Sequence, residues 1–231
     1  MDKKGIAILG GSFNPIHIGH LRLAIDIREL FSNIIDEVQL VPNNIAPHKN
    51  KNNFLPFSMR AMMVELAIKP LMGLSCNRLE GERKGPSYTF DTLQFYNEQY
   101  VNQDIYFILG SADYKNILSW YKGNDIAKLC NFIVVPRLNE KQNFLDMTCK
   151  IWPNSKEVDF LLKDSQIYGH SILLPSGKFS HFLILPELCV SASEIRLRWL
   201  SKKSINYLVP DVVREFLLSN EDIVKKYWIE E

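Results

Sequence analysis

The sequence predicts an α/β protein: a mostly parallel sheet with helices on both faces, followed by C-terminal helices. Short apolar runs of strand length alternate with amphipathic stretches of helical period along most of the chain. Such β-α alternation is the pattern of parallel strands joined by helical crossovers. Composition agrees: hydrophobic residues make up 46% of the 231 and charged residues 23%, enough apolar side chain to bury a substantial core.

The elements follow in order. Residues 5–9, GIAIL, open the pattern as a strand, and 20–31, HLRLAIDIRELF, carry apolar residues at helical spacing. EVQLV (37–41) is the second strand, and the polar run PNNIAPHKNKNNF follows as a loop. SMRAMMVELAI (58–68) reads as a helix and GLSCN (73–77) as a strand. TFDTLQFYNEQY (89–100) is helical, and DIYFILG (104–110) is a buried strand ending in glycine. NDIAKLC and NFIVVP repeat helix and strand. Two further helices, SEIRLRWLS (193–201) and PDVVREFLLS (210–219), complete the pattern. Residues 139–180 are the least regular stretch and are expected to form an insertion. With no repeat, heptad run or low-complexity linker, the expectation is one domain over residues 1–231, with residues 190–231 as a helical appendage.

Formal net charge is +1, so no strong field draws nucleic acid or an anionic membrane. Cys76, Cys130, Cys149 and Cys189 form no CxxC pair and read as reduced thiols, with neither a zinc site nor a disulfide framework. No stretch approaches the roughly 18 apolar residues of a membrane span. The N-terminal run is too short for a signal peptide. A cytoplasmic, soluble protein is expected, and none of these features specifies its oligomeric state.

Chemistry concentrates in GGSFNPIHIGHL, which begins at Gly10. Gly10 and Gly11 follow a strand and precede a helix, where glycine permits positive φ and close approach to a ligand. The helix begins near Ile18, and its free amides and dipole favour an anion. His17 and His20, three residues apart, can share one face and donate hydrogen bonds to phosphate oxygens. A plain turn with two surface histidines is the competing interpretation. The combination of GG, FNP and HIGH on a strand–turn–helix favours phosphate. A second such place is VSASEIRLRWL (190–200). Ser191 and Glu194 fit a capping box, which leaves Ser193 and Arg196 unexplained. Three apart on a helix, their hydroxyl and guanidinium can point the same way, and arginine grips phosphate in a fork.

GGSFNPIHIGH together with SASEIR resembles the nucleotidyltransferase superfamily that carries HxGH and SxTxxR motifs. The resemblance implies a Rossmann-like fold whose two motifs clasp the ATP triphosphate. Gly10, Gly11, Ser12, Phe13, His17 and His20 would come from the first motif, and Ser191, Ser193 and Arg196 from the second. His17, His20 and Arg196 would be catalytic. Class I aminoacyl-tRNA synthetases share the first motif but pair it with KMSKS, and no KMSKS-like stretch occurs here. PNNIAPHK (42–49), PSYTFDTL (86–93) and GSADYKNILSWY (110–121) are further similar to the bacterial nicotinate-nucleotide adenylyltransferases. That implies ATP and nicotinate mononucleotide as substrates, Mg²⁺ carried on the ATP phosphates, no protein metal site and no nucleic-acid partner.

The residues suit such an acceptor. A cationic pyridinium ring favours an aromatic face, worth about 1–2 kcal/mol, and Trp120 is the candidate; a core tryptophan is the competing reading. The resemblance places the carboxylate at the Tyr88–Thr89–Phe90 turn and the Tyr121 amide. Thr89 also reads as an N-cap. Asn43 and Lys49 offer donors, with Asn44 and His48 beside them, and Arg60 and Arg137 are further basic candidates. Two positions depart from the family pattern: Asn14 stands where aspartate is common, and Asp113 falls one residue later than the family's Gly-x-Asp. Transfer to another acceptor (nicotinamide mononucleotide, pantetheine phosphate) and a non-catalytic nucleotide-binding regulator are the alternatives.

Overall fold

A computed structural model describes residues 4–44, 53–136, 143–158, 169–186 and 188–228. His48, Lys49 and Arg137 lie outside the described residues. In chain order the elements are β1 (Gly5–Gly11), α1 (Ile18–Leu30), β2 (Ile35–Pro42), α2 (Phe57–Ile68), β3 (Leu74–Cys76), α3 (Leu79–Glu82) and α4 (Thr89–Gln99). They continue as β4 (Ile105–Gly110), α5 (Ser111–Lys115), α6 (Gly123–Leu129), β5 (Asn131–Val135), α7 (Phe144–Ile151), β6 (Lys156–Val158) and β7 (Gly169–Leu173). β8 (Phe179–Leu183), α8 (Ala192–Leu200), α9 (Asp211–Ser219) and α10 (Glu221–Tyr227) follow.

Among the described residues the strands form one mixed, mostly parallel sheet in the order β3-β2-β1-β4-β5-β8-β7-β6. β4 pairs parallel with β1 and with β5, and β5 pairs parallel with β8. The order reverses at β1, and in open sheets of this type ligands bind beyond the carboxyl ends of strands at such a reversal. The loop leaving the carboxyl end of β1 is the one that carries HIGH.

Two compact units make up the chain, each from three segments. One comprises Met1–Leu9, Leu30–Glu37 and Tyr88–Glu187, the other Gly10–Glu29, Val38–Ser87 and Leu188–Glu231. In the first, β4 reads as an uninterrupted apolar run, Ile105 to Leu109, because both faces of a central parallel strand are covered. Phe132, Ile133, Val134 and Phe182 extend this core. In the second, Ala24 and Ile27 of α1, Met63 and Val64 of α2, Ile195 of α8, and Val213 and Leu217 of α9 are buried. Helix α2 packs against β3 and α9.

Of the stretch expected to form an insertion, the described residues 143–158 and 169–180 contain α7, β6 and β7 and run into β8, with β7 antiparallel to both neighbours. Strands of three to five residues leave little period to detect, and their pairing is decided by partners far along the chain. Helix α10, absent from the sequence expectation, adds seven residues after α9. No helix among the described residues is long and apolar enough to cross a membrane.

Candidate active site

The loop after β1 corrects one expectation. Gly10 and Gly11 are extended residues of β1, and the positive φ falls on Phe13 at 44°. Glycine at position 11 answers to packing: a Cβ there would lie 3.0 Å from the Phe13 ring. Phe13 is itself buried beneath the motif, edge-on to His20 with centroids 5.0 Å apart. A left-handed phenylalanine stores about 1–3 kcal/mol of strain. Its side chain is enclosed, so Phe13 can offer a nucleotide its backbone only.

His17 immediately precedes α1 and His20 lies in its first turn, where the two rings stack with centroids 3.7 Å apart. The His17 backbone N–H donates to Nδ1 of His20 at 3.3 Å. A neutral imidazole that accepts at Nδ1 carries its proton on Nε2. His17 is 6% exposed, and burial lowers its pKa from 6.5 to about 4, making it neutral at pH 7. Its Nδ1 is buried, with no hydrogen-bond partner among the described residues. Such an unmade bond costs about 1–3 kcal/mol. Gly19 makes room for this ring, because a Cβ there would lie 3.1 Å from Nδ1 of His17.

The second motif reaches the same loop. Ser191 caps α8, its hydroxyl accepting from the Glu194 amide at 3.2 Å. Arg196 donates through Nη2 to Ser193 Oγ at 3.1 Å, so hydroxyl and guanidinium share one face. Through Nη1 it donates at 3.0 Å to the carbonyl of Asn14, 182 residues away in sequence. One compact unit therefore holds both histidines, Ser193 and Arg196.

Asn14 is a junction that sequence reasoning treated only as a departure from a pattern. It is 1% exposed; its Nδ2 donates to the Asn53 carbonyl at 2.7 Å, and its Oδ1 accepts from Leu55 N at 3.1 Å and Trp228 Nε1 at 3.2 Å. Arg60, a candidate for nucleotide contact, is 2% exposed and donates to the carbonyls of Leu55, Ser12 and Asn44. Burial lowers its pKa to about 10, so it stays cationic at neutral pH. It clamps the loop from below. Asn43 donates to Ser12 Oγ at 3.3 Å, and the Asn44 amide to Ser87 Oγ at 2.9 Å.

The acceptor candidates of the first unit form an aromatic group. Tyr88 and Tyr121 lie 4.5 Å apart between centroids, with Phe90 edge-on to Tyr121 at 6.2 Å. Trp120 is half-buried and edge-on to Phe107 at 6.3 Å. The cap of α4 is Tyr88, one position earlier than expected, with Thr89 the first helical residue; Tyr88 makes no side-chain cap bond. The sequence reading omitted Lys122. It takes a left-handed φ of 52°, which brings its ammonium 4.4 Å from the Phe90 ring centroid. Asp113 is exposed in the first turn of α5, outside this aromatic group.

Comparison with known proteins agrees with this geometry. A family profile for cytidylyltransferase-like proteins matches residues 8–198. The nicotinate-nucleotide adenylyltransferase of Bacillus subtilis is 32% identical over 217 residues, covering 94% of this chain and 97% of its own. Plasmodium falciparum nicotinic acid mononucleotide adenylyltransferase, solved in complex with NaAD, is 22% identical and superposes with a TM-score of 0.72, covering 96% of this chain and 98% of its own. The fold is that of these enzymes. The chain belongs to the cytidylyltransferase-like nucleotidyltransferases and, within them, to the nicotinate-nucleotide adenylyltransferase family.

Proposed function

We propose that the protein transfers the adenylyl group of ATP to nicotinate mononucleotide, releasing pyrophosphate and forming nicotinate adenine dinucleotide for NAD biosynthesis. The observation that carries the phosphate half is the joining of the two motifs. Arg196, oriented by Ser193 and by the Asn14 carbonyl, belongs to the same compact unit as a stacked histidine pair, of which His17 has a buried Nδ1 with no partner among the described residues. An oxygen of the mononucleotide phosphate attacks the α-phosphorus of ATP in line. The bond from that phosphorus to the bridging oxygen breaks, and its electron pair leaves on pyrophosphate. The attacking oxygen is already ionised at neutral pH, so no general base is required. Catalysis is positioning and charge neutralisation.

Neutral His17 and the His20 imidazole serve as hydrogen-bond donors, and Arg196 supplies the full positive charge. Gly10, Gly11, Ser12 and Phe13 offer backbone, and Ser191 opens the helix whose first-turn amides face the phosphates. Among the described residues no three His, Cys, Asp or Glu side chains gather to cage a divalent ion. A Mg²⁺ carried by phosphate oxygens and water would neutralise triphosphate charge.

On the acceptor side, Trp120 would face the pyridinium ring. The Thr89, Phe90 and Tyr121 amides would take the carboxylate, and Asn43 and Lys49 would assist. The Lys122 ammonium beside Phe90 and Tyr121 supports an anionic ring substituent. An acceptor panel with Mg-ATP, read as pyrophosphate release, tests the reading. Nicotinate mononucleotide is expected to turn over at least tenfold faster than the amide, which sets donor against donor at about 1–3 kcal/mol. Equal rates, faster pantetheine phosphate turnover or ATP binding without turnover would overturn it.

A further inference from the structure

We propose that Trp228 is a positioning residue for the phosphate site, acting through Asn14 on Arg196. The inference rests on the nucleotidyl-transfer reading but concerns a residue outside both motifs. Trp228 follows α10 and is 1% exposed; its backbone N–H donates to the Val224 carbonyl at 2.8 Å, so the helix end fixes its backbone. Its ring packs edge-on against Trp199 of α8, with centroids 6.2 Å apart at 88°. The indole N–H is then left with one task, donation to Oδ1 of Asn14 at 3.2 Å.

That bond settles which way the Asn14 amide points. An indole nitrogen only donates, and so does the Leu55 amide 3.1 Å from the same atom, so the atom between them is the oxygen. The nitrogen then falls toward the Asn53 carbonyl at 2.7 Å, where it donates. Three bonds therefore hold one small side chain in a single orientation, in a residue with almost no exposure. Its peptide carbonyl, fixed in consequence, takes Nη1 of Arg196 at 3.0 Å. Arginine otherwise surrenders much rotamer freedom on gripping a phosphate, and orienting it beforehand removes part of that cost. Trp199 touches Trp228 from the helix that carries Arg196, so the ring also braces α8 against the chain end. Trp228 belongs to neither motif. It sets the angle at which Arg196 waits.

The test is steady-state kinetics, Mg-ATP affinity by calorimetry, and melting temperature for Trp228→Phe, Asn14→Ala, the double variant and Trp199→Phe. Trp228→Phe keeps an aromatic ring and deletes the N–H. It is expected to lower kcat/KM for ATP about tenfold and to weaken Mg-ATP binding several-fold, with KM for the mononucleotide unchanged. In the Asn14→Ala background the same change should add nothing, since coupled residues are not additive. Trp199→Phe, which disturbs the ring contact without the indole bond, should lower the melting temperature and leave kcat/KM for ATP within twofold. Benzothienylalanine at position 228, which keeps the bicyclic shape and lacks only the N–H, replaces Trp228→Phe should that variant not fold. Unchanged ATP kinetics and affinity in the N–H-deleted protein, or losses that multiply in the double variant, would overturn the proposal. Absence of turnover in the wild type defeats the functional reading instead, and the calorimetric comparison still decides this one.

Discussion

Two histidines of this protein share burial and protonation state and differ in one respect. His181, on β8, is 3% exposed, and burial lowers its pKa to about 4; His17 is 6% exposed with the same shift and the same cause. His181 Nδ1 sits 2.8 Å from Ser171 Oγ, and its ring stacks on Phe179 and Tyr106. His17 Nδ1 has no partner among the described residues. A lowered pKa therefore does not set the motif histidine apart from the core one. The completeness of the hydrogen bonding does. The core histidine has its bond built into the sheet, whereas the motif histidine has a buried nitrogen with no partner among the described residues.

The largest expected effect separates the two directly. His17→Ala and His20→Ala should each lower kcat by about 10²–10³, the usual loss for one donor to developing charge, with melting temperature nearly unchanged. His181→Ala should do the reverse, losing about 3 kcal/mol of core packing, on the order of ten degrees in melting temperature, while the folded fraction keeps its kcat. A stability loss in His17→Ala equal to that of His181→Ala would break the comparison.

Acid unfolding comes next. Both groups have folded pKa values depressed below 6.5, so the unfolded chain binds their protons first. The stability they confer is present above pH 6.5 and is lost as pH falls from 6.5 toward about 4. Protonation of each costs the fold at most about 3 kcal/mol across that window. Melting curves from pH 7 to pH 4 should show the loss, and His17→Ala should make the decline visibly shallower. An identical acid limb in that variant would show that His17 titrates normally.

Gly19→Ala sharpens the point sterically. Its Cβ would press on the His17 ring at 3.1 Å. A displaced donor should cost about tenfold in kcat, and wild-type activity would show that the ring can yield. The smallest effects concern the first unit. Trp120→Ala should raise KM for the mononucleotide about tenfold, the worth of one stacking contact, leaving KM for ATP unchanged. Asp113→Asn, exposed outside the aromatic group, should change kcat less than about threefold. A hundredfold fall would return that carboxylate to the reaction.

How much of this was legible follows the range of the interactions. The parallel strands β1, β4 and β5 were readable because a strand covered on both faces must be apolar throughout, as Ile105 to Leu109 are. β6 and β7 were not, since three-residue Lys156–Val158 has no period to recognise and depends on a partner strand. The same division runs through the candidate site. His17, His20, Ser193 and Arg196 lie within single helical turns, where spacing in sequence is spacing in space. Lys122 was missed because its approach to Phe90 comes from a left-handed backbone conformation, which lysine does not announce.

By itself, the sequence determined the α/β alternation, the two helix starts that bear the motifs, and which side chains each start presents. These are local matters of period, cap and turn. The tertiary structure alone decided that Arg60 spends its donors on Ser12, Leu55 and Asn44 carbonyls, that His17 is buried with a bond unmade, and that Asn14 joins Leu55, Arg196 and Trp228. The reason is sequence separation. Trp228 and Asn14 stand 214 residues apart, and no propensity or periodicity reaches that far; only the packing of one compact unit brings the indole N–H to the amide oxygen.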